Sequence, residues 1–313
     1  MAPIRSRPQS ECTICGCPGK TLYHQLADIS FNSTGEWALS RCSNASCGLI
    51  WLNPMPLEED ISKAYRNYYT HCDFDRTRTV ASRLLFGLLG LERARRRAGL
   101  YYLDECSPGS VLEVGFGDGS RLKQLASLGW SVEGQEVDPV TVHKLRDQGF
   151  KVHEGHLTDL GLIEGKYDAV VGNHVIEHVH SPIEVMKECR RLTKPGGLVV
   201  MLTPNSTSYG HRVFGKHWLG LDPPRHLHLF SLHSLGLLAA NAGFTDYRVF
   251  THPAHSAIPF QASISMSQAA GFQLGQKASL LDQLKVAGHV TASRFLQALN
   301  SRWGEEIVII AIA

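Results

Sequence analysis

Three glycines at alternate positions, Gly115, Gly117 and Gly119, constrain this chain more than any other feature of it. They follow Val111-Leu112-Glu113-Val114, an apolar, β-branched run with the composition of a buried parallel strand. After them, residues 120–128 carry Leu122, Leu125, Ala126 and Leu128 on one side of a predicted helix. Strand, glycine turn and helix open a nucleotide-binding βαβ unit. Glycine lets backbone pass close to a ligand, and the helix N-terminus offers it free N–H groups. The plainer alternative is a tight turn in any α/β fold. Spacing selects the nucleotide. A dinucleotide fingerprint needs G-x-G-x-x-G. Here the third glycine comes one residue early, and Ser120 occupies the required slot.

With 313 residues, the chain has room for one large domain, or for a domain and an accessory module. Apolar residues make up 43% and charged residues 19%, as in soluble globular proteins. A net charge of +2 and a pI near 8.1 argue against a nucleic-acid binder, which is usually more basic. Residues 1–11 are polar and do not read as a signal peptide. The longest apolar runs, around 84–91 and 307–313, fall far short of the ~20 residues of a membrane helix. Eight cysteines without a secretion signal point to thiols or metal ligands in a cytoplasmic protein.

Four of those cysteines form two pairs, Cys12-x2-Cys15 and Cys42-x4-Cys47, each followed by glycine. Two such knuckles suit a tetrahedral, structural Zn²⁺. Residues 10–50 therefore read as a small zinc ribbon, with Cys17 a spare; four free thiols are the alternative. The apolar run 48–52 is expected to pack on the ribbon and to stop at Pro54 and Pro56. Helices are expected over 58–69 and 82–103. The second carries Arg93, Arg95, Arg96 and Arg97, a solvated face or a patch for an anionic substrate.

Four further strands and their tips follow. The second strand ends at Glu136, placed about 20 residues beyond the glycine turn to accept both hydroxyls of a ribose. Asp138 reads as the cap of the helix that begins at Pro139. The third strand, 150–152, leads to His156 and Leu157. The fourth, from Tyr167, ends at Asn173 and His174, where ligands of open α/β sheets bind. A helix Pro182–Leu192, the turn Lys194-Pro195-Gly196-Gly197 and a fifth strand over 198–203 come next.

The set E-x-G-x-G-x-G, acidic second-strand tip, Glu177-His178-Val179 after the fourth strand, and KPGG before a buried strand resembles the class I S-adenosylmethionine-dependent methyltransferases. With the cysteine knuckles and the GLIWLNPMP segment, the chain is similar to a bacterial group of these enzymes that carries an N-terminal zinc-binding region. That group is met in sugar, polysaccharide and secondary-metabolite pathways. The resemblance implies an α/β fold: a seven-stranded Rossmann-like sheet with helices on both faces, plus the small zinc ribbon. It implies a ribbon over 1–56, a helical linker or lid over 57–104 and a methyltransferase domain over 105–313. The implied cofactor residues are Glu113, Gly115, Gly117, Gly119, Glu136, His156, Leu157, Asn173 and His174. His156 departs from the family, which usually has an aspartate facing the adenine amino group there; Leu157 would cover the adenine ring.

Beyond the fifth strand, Pro223 and Pro224 fix a loop that carries Arg225, His226 and His228. Methyl transfer from a sulfonium mainly needs alignment, and a hydroxyl acceptor also needs a base. His226 is the first candidate, ahead of His228 and His178; each has a structural, hydrogen-bonded alternative. Arg225 is expected to hold an anionic acceptor or to pair on the surface. A helix over 231–242, a sixth strand over 245–251, an amphipathic excursion over 264–302 and a last antiparallel strand over 306–311 complete the chain. The excursion suits a lid or a dimer surface. The expected activity is methyl transfer to a small molecule, such as a sugar or another hydroxylated metabolite. Against it stand an RNA methyltransferase gripping RNA through the ribbon, and a non-catalytic cofactor-binding assembly protein. A nicotinamide dehydrogenase is disfavoured by the glycine spacing.

Overall fold

Residues 3–29, 31–65, 91–252, 257–268 and 279–313 are described by the structure, a computed structural model. Five short strands come first: β1 (Ser6–Arg7), β2 (Gly19–Leu26), β3 (Trp37–Cys42), β4 (Ile50–Leu52) and β5 (Met55–Pro56). β2, β3 and β4 pair antiparallel, and β1 pairs with β5. Of the helix expected over 58–69, Glu58–Tyr65 forms 3-10 turns and the rest lies outside the described residues. Of the region 82–103, residues 82–90 also lie outside them, and Leu91–Gly99 is helix α1.

The glycine turn follows β6 (Ser110–Val114). Then come β7 (Ser131–Glu136), β8 (Lys151–Glu154), β9 (Tyr167–Asn173), β10 (Thr193–Pro204), β11 (His228–Leu229), β12 (Asp246–His252) and β13 (Glu306–Ile312). Seven strands build one sheet in the order β12-β13-β10-β9-β6-β7-β8. β6 to β10 run parallel, and β13 enters antiparallel between β10 and β12, as the sequence predicts. Side chains alternate across the sheet. Leu112, Val170, Val199 and Met201 pack on one face with Met186, Leu192, Leu235 and Leu238. Val111, Ala169, Val171, Val200 and Leu202 pack on the other with Leu100, Tyr101 and Leu103. Apolar residues on both sides of each inner strand are what make these strands read as continuous hydrophobic runs.

The helices after α1 are α2 (Ser120–Ser127), α3 (Pro139–Arg146), α4 (Pro182–Leu192), α5 (Tyr209–Phe214), α6 (Leu232–Asn241), α7 (Ala257–Ser267) and α8 (Leu280–Leu299). Asp138 caps α3 as expected, its side chain accepting from the Val140 N–H at 3.0 Å. The KPGG segment is not a separate turn. It lies within β10 as an irregularity, where the register with β9 breaks between Thr193 and Leu198. In α8, Leu280, Leu281, Leu284, Phe295 and Leu299 face outward, between 62% and 75% exposed. Among the described residues, no helix is long and apolar enough to cross a membrane.

One element is absent from the sequence reading. β11, in the loop beyond β10, joins the N-terminal sheet to give the order β11-β4-β3-β2. His228 pairs with Trp51 and Leu229 with Ile50, and the Leu52 N–H donates to the Leu227 carbonyl at 3.0 Å. The run 49–52 is fully buried because it packs between the cysteine knuckles and this loop, within one core that also holds Leu227, Phe230 and Leu235. The N-terminal strands thus fold onto the segment that carries His226.

Candidate active site

Parallel strands deliver the carboxyl ends of β6, β7 and β9 to one edge of the sheet, and with them the glycine turn, Glu136 and Asn173. Gly115, Gly117 and Gly119 all have left-handed φ values, of 62°, 54° and 71°. Their surroundings differ. A Cβ at Gly115 would lie 2.5 Å from Val175 Cγ2, and one at Gly119 would lie 2.5 Å from Leu145 Cδ1. A Cβ at Gly117 would meet nothing within 4 Å. Gly115 and Gly119 therefore close the turn onto the protein, whereas Gly117 faces open space.

Glu136 stands beside that turn. Its Oε2 accepts the Gly117 N–H at 3.0 Å and its Oε1 accepts the Val137 N–H at 2.7 Å. Burial raises its pKa above the ordinary glutamate range, against the pull of those N–H groups. Glu113, in β6, is 2% exposed. Tyr101 donates its hydroxyl to Glu113 Oε1, while Oε2 is buried with no partner among the described residues. Burial pushes the Glu113 carboxyl up to about 7. Asn173 Oδ1, at the tip of β9, is likewise buried and unpartnered. Buried acceptors of this kind cost free energy until a donor reaches them. Further along, His156 is exposed, and Leu157 is packed into the core.

His174 also has a left-handed φ, of 53°. Carboxylates claim both of its ring nitrogens: Nδ1 lies 3.0 Å from Glu177 Oε1 and Nε2 lies 3.1 Å from Glu306 Oε1. Burial opposes the charged ring, but the two carboxylates outweigh it and raise its pKa to about 10. Glu177 is fully buried, yet His174 holds it down at about 2. Its Oε2 accepts the Thr203 hydroxyl at 2.9 Å.

His178 follows directly. Its Nδ1 lies 3.0 Å from the Arg225 carbonyl and 2.9 Å from the Tyr65 hydroxyl. A carbonyl only accepts, so Nδ1 carries the proton and Nε2 the lone pair. Burial, and then His226, push the His178 pKa down to about 4. His226, 7% exposed, repeats the arrangement, with its Nδ1 2.8 Å from the Gly220 carbonyl. The two rings meet edge to face with centroids 4.7 Å apart. His228 is fully buried beside Phe230, and burial pushes its pKa down to about 3. The structure thus brings His178 and His226 together with Glu177 and encloses His228 elsewhere. Arg225 is not at the surface: its 0% exposed side chain binds Asp28 and Asp222. Tyr65, Tyr101 and Glu306 carry no site signal in the sequence, and Glu177 enters there only as part of the Glu177-His178-Val179 motif.

The cysteine knuckles converge. Cys12 and Cys47 sulfurs are 3.7 Å apart and those of Cys15 and Cys42 are 3.4 Å apart, while all four lie within 4.8 Å of one another. Four thiolates bonded at ~2.3 Å to one tetrahedral Zn²⁺ would stand roughly 3.8 Å apart, so the set fits that ion. A cleft of about 1050 Å³ borders this knuckle, lined by Arg41, Arg212 and Arg302 among others.

The strand order, the glycine turn and the acidic tip of β7 define a class I methyltransferase fold. Residues 89–249 match the family described as a methyltransferase domain, and the chain belongs to these S-adenosylmethionine-dependent methyltransferases. A probable S-adenosylmethionine-dependent methyltransferase of Mycolicibacterium smegmatis is 33% identical over 33% of this chain and 41% of its own length. A ubiquinone biosynthesis O-methyltransferase of Maricaulis maris is 32% identical over 38% of this chain and 51% of its own length. The match therefore spans about half of each curated relative. A solved methyltransferase from Archaeoglobus fulgidus covers 75% of this chain and 100% of its own, at 18% identity and a TM-score of 0.48.

Proposed function

We propose that the chain transfers a methyl group from S-adenosylmethionine to a hydroxyl of a small molecule, such as a sugar or another hydroxylated metabolite. The observation that carries this reading is a pair of buried acceptors without a partner among the described residues, Glu113 Oε2 and Asn173 Oδ1, near the carboxyl ends of β6 and β9, the strand that leads into the glycine turn and its neighbour. S-adenosylmethionine brings the donors such acceptors require, an ammonium and ribose hydroxyls. Gly115, Gly117, Gly119, Glu113, Glu136, Leu157 and Asn173 would hold it; His156 is exposed, and both ring nitrogens of His174 are engaged by carboxylates. When bound, it supplies a methyl group already activated by the sulfonium.

The chain's own task is to align the acceptor and to receive its proton. His226 does so best. Its Nδ1–H is fixed on the Gly220 carbonyl, which leaves Nε2 as the basic nitrogen, with His178 against it. His228, enclosed in the core, ranks last. The O-methyltransferase name of the Maricaulis maris relative supports a hydroxyl acceptor. Zn²⁺ on Cys12, Cys15, Cys42 and Cys47 would be structural, since four thiolates leave no open position. RNA is the competing acceptor, favoured by the arginine-lined cleft beside the knuckle.

The test is methyl-labelled S-adenosylmethionine incubated with the protein and cell extract, then separated into small-molecule, RNA and protein pools. Label is expected in the small-molecule pool, on oxygen. Label in RNA instead, or bound cofactor with no label in any pool, overturns the reading.

A further inference from the structure

A second metal set lies apart from the cysteines. Glu177, His178 and His226 each offer a ligand atom, and the three atoms lie within 4.8 Å of one another. The protein has arranged them as metal ligands are arranged. A metal-bound histidine nearly always donates its other ring N–H to a carbonyl or carboxylate, which fixes ring and tautomer. Here His226 Nδ1 lies 2.8 Å from the Gly220 carbonyl and His178 Nδ1 lies 3.0 Å from the Arg225 carbonyl. Both lone pairs are thereby placed on Nε2. The carboxylate is oriented too, by Thr203 on one oxygen and His174 on the other. One ring nitrogen of each imidazole and a carboxylate oxygen share one small space, a grouping that a cation stabilises.

We propose that Glu177, His178 and His226 bind a divalent transition-metal cation, with Zn²⁺, Mn²⁺ or Fe²⁺ as the matching class. Two nitrogens and one oxygen suit these ions, whereas Mg²⁺ prefers oxygen ligands. Metal–ligand bonds of about 2.0–2.2 Å require the side chains to close by under about 1 Å each. Three protein ligands leave a coordination position open. That position takes an acceptor hydroxyl, whose ionisation the cation favours. This role for the ion rests on the hydroxyl-methylating reading, but its binding does not. With the ion in place, His226 Nε2 is a ligand and no longer the base of the metal-free site; it then promotes the same ionisation through the cation, and the hydroxyl proton leaves to water.

The experiment counts metal. Full-length protein is equilibrated with Zn²⁺, desalted and measured by mass spectrometry of the elements. Two equivalents are expected in the wild type and one in His226→Ala and His178→Ala, with S-adenosylmethionine binding retained as the check of fold. One equivalent in the wild type, or two in either variant, overturns the proposal. If the variants lose cofactor binding, Co²⁺ substitution of the wild type decides. A second equivalent without sulfur charge-transfer bands supports the site, and its absence refutes it. No acceptor enters either measurement. Two equivalents without methyl transfer would leave this site standing and the proposed activity fallen; methyl transfer with one equivalent would do the reverse.

Discussion

The Arg225 guanidinium and the Asp28 carboxylate, 197 residues apart in sequence, are joined by two hydrogen bonds of 2.7 and 2.8 Å. Their side chains are 0% and 1% exposed. Asp222 holds the same guanidinium from the other side at 2.6 and 2.9 Å, and the Phe31 ring lies 4.5 Å beneath it. This pair ties the N-terminal strands to the loop whose next residue is His226. Removing one partner of a buried pair leaves an under-compensated charge, at a cost of about 3–5 kcal/mol. Asp28→Asn should fall toward the lower end, because Asp222 remains. Denaturant unfolding measures the loss. The same variant should lower turnover while leaving the zinc content of the knuckles unchanged. Unaltered stability would show that the pair does not hold the loop.

The three glycines separate by what a methyl group would meet. Gly115→Ala drives a Cβ into Val175 and should destabilise the fold along with cofactor binding. At Gly117→Ala the added carbon meets no protein atom, so only the left-handed backbone strain of roughly 1–2 kcal/mol applies. That protein should fold and yet bind S-adenosylmethionine poorly, because the methyl group occupies the ligand's approach. Thermal unfolding and calorimetric titration of the two variants distinguish these losses. Equal cofactor affinity in Gly117→Ala and the wild type would move the cofactor away from this turn.

Glu136→Ala removes a charge-assisted acceptor and also frees the Gly117 and Val137 N–H groups. Cofactor affinity should fall by about 1.5–3 kcal/mol, or roughly 10- to 150-fold in Kd. Titration calorimetry reads this directly. His226→Ala should instead keep cofactor affinity and lower turnover on the order of 10²-fold or more. A His226→Ala protein with normal turnover would exclude this residue from promoting the acceptor's ionisation, whether as base or as metal ligand.

What sequence made legible, and what it did not, follows the range of the forces involved. The inner strands and the α2, α4 and α6 helices are set by local periodicity and turn residues, so Val111 to Val114 and Pro182 to Leu192 could be read directly. The cysteine knuckles and Asp138 are likewise local in spacing. β11 is only two residues long, and it exists because Leu229 and His228 find Ile50 and Trp51 across the chain. Nothing near Arg225 in sequence foretells Asp28. The excursion's leucines repeat at helical spacing, but periodicity does not say which face meets protein, and in α8 several of them point outward. Glu306 and Glu177 clamp His174 from separate segments, so a histidine read as facing the cofactor has both ring nitrogens engaged.

That clamp gives stability a defined pH dependence. His174 is raised from an ordinary value of 6.5 to about 10, so the folded state holds its proton more tightly than the unfolded chain does. The contribution is full below about pH 6.5 and declines as pH climbs through 10. Glu177 acts at the other end. Its folded pKa near 2 lies below the ordinary 4.5, so its contribution is present above 4.5 and is lost as pH falls through 2. His178, lowered to about 4, favours the neutral ring, and its contribution is lost as pH falls from 6.5 through 4. Between pH 7 and 10 the first of these groups alone titrates, and unfolding free energy should decline with pH. His174→Gln keeps hydrogen-bonding atoms near both carboxylates but cannot carry the charge. Its unfolding free energy should be lower at pH 7 and flatter from 7 to 10 than that of the wild type, measured by denaturant titration at each pH. Parallel slopes in the two proteins would mean that His174 is neutral in the fold and that the carboxylates are held by other donors.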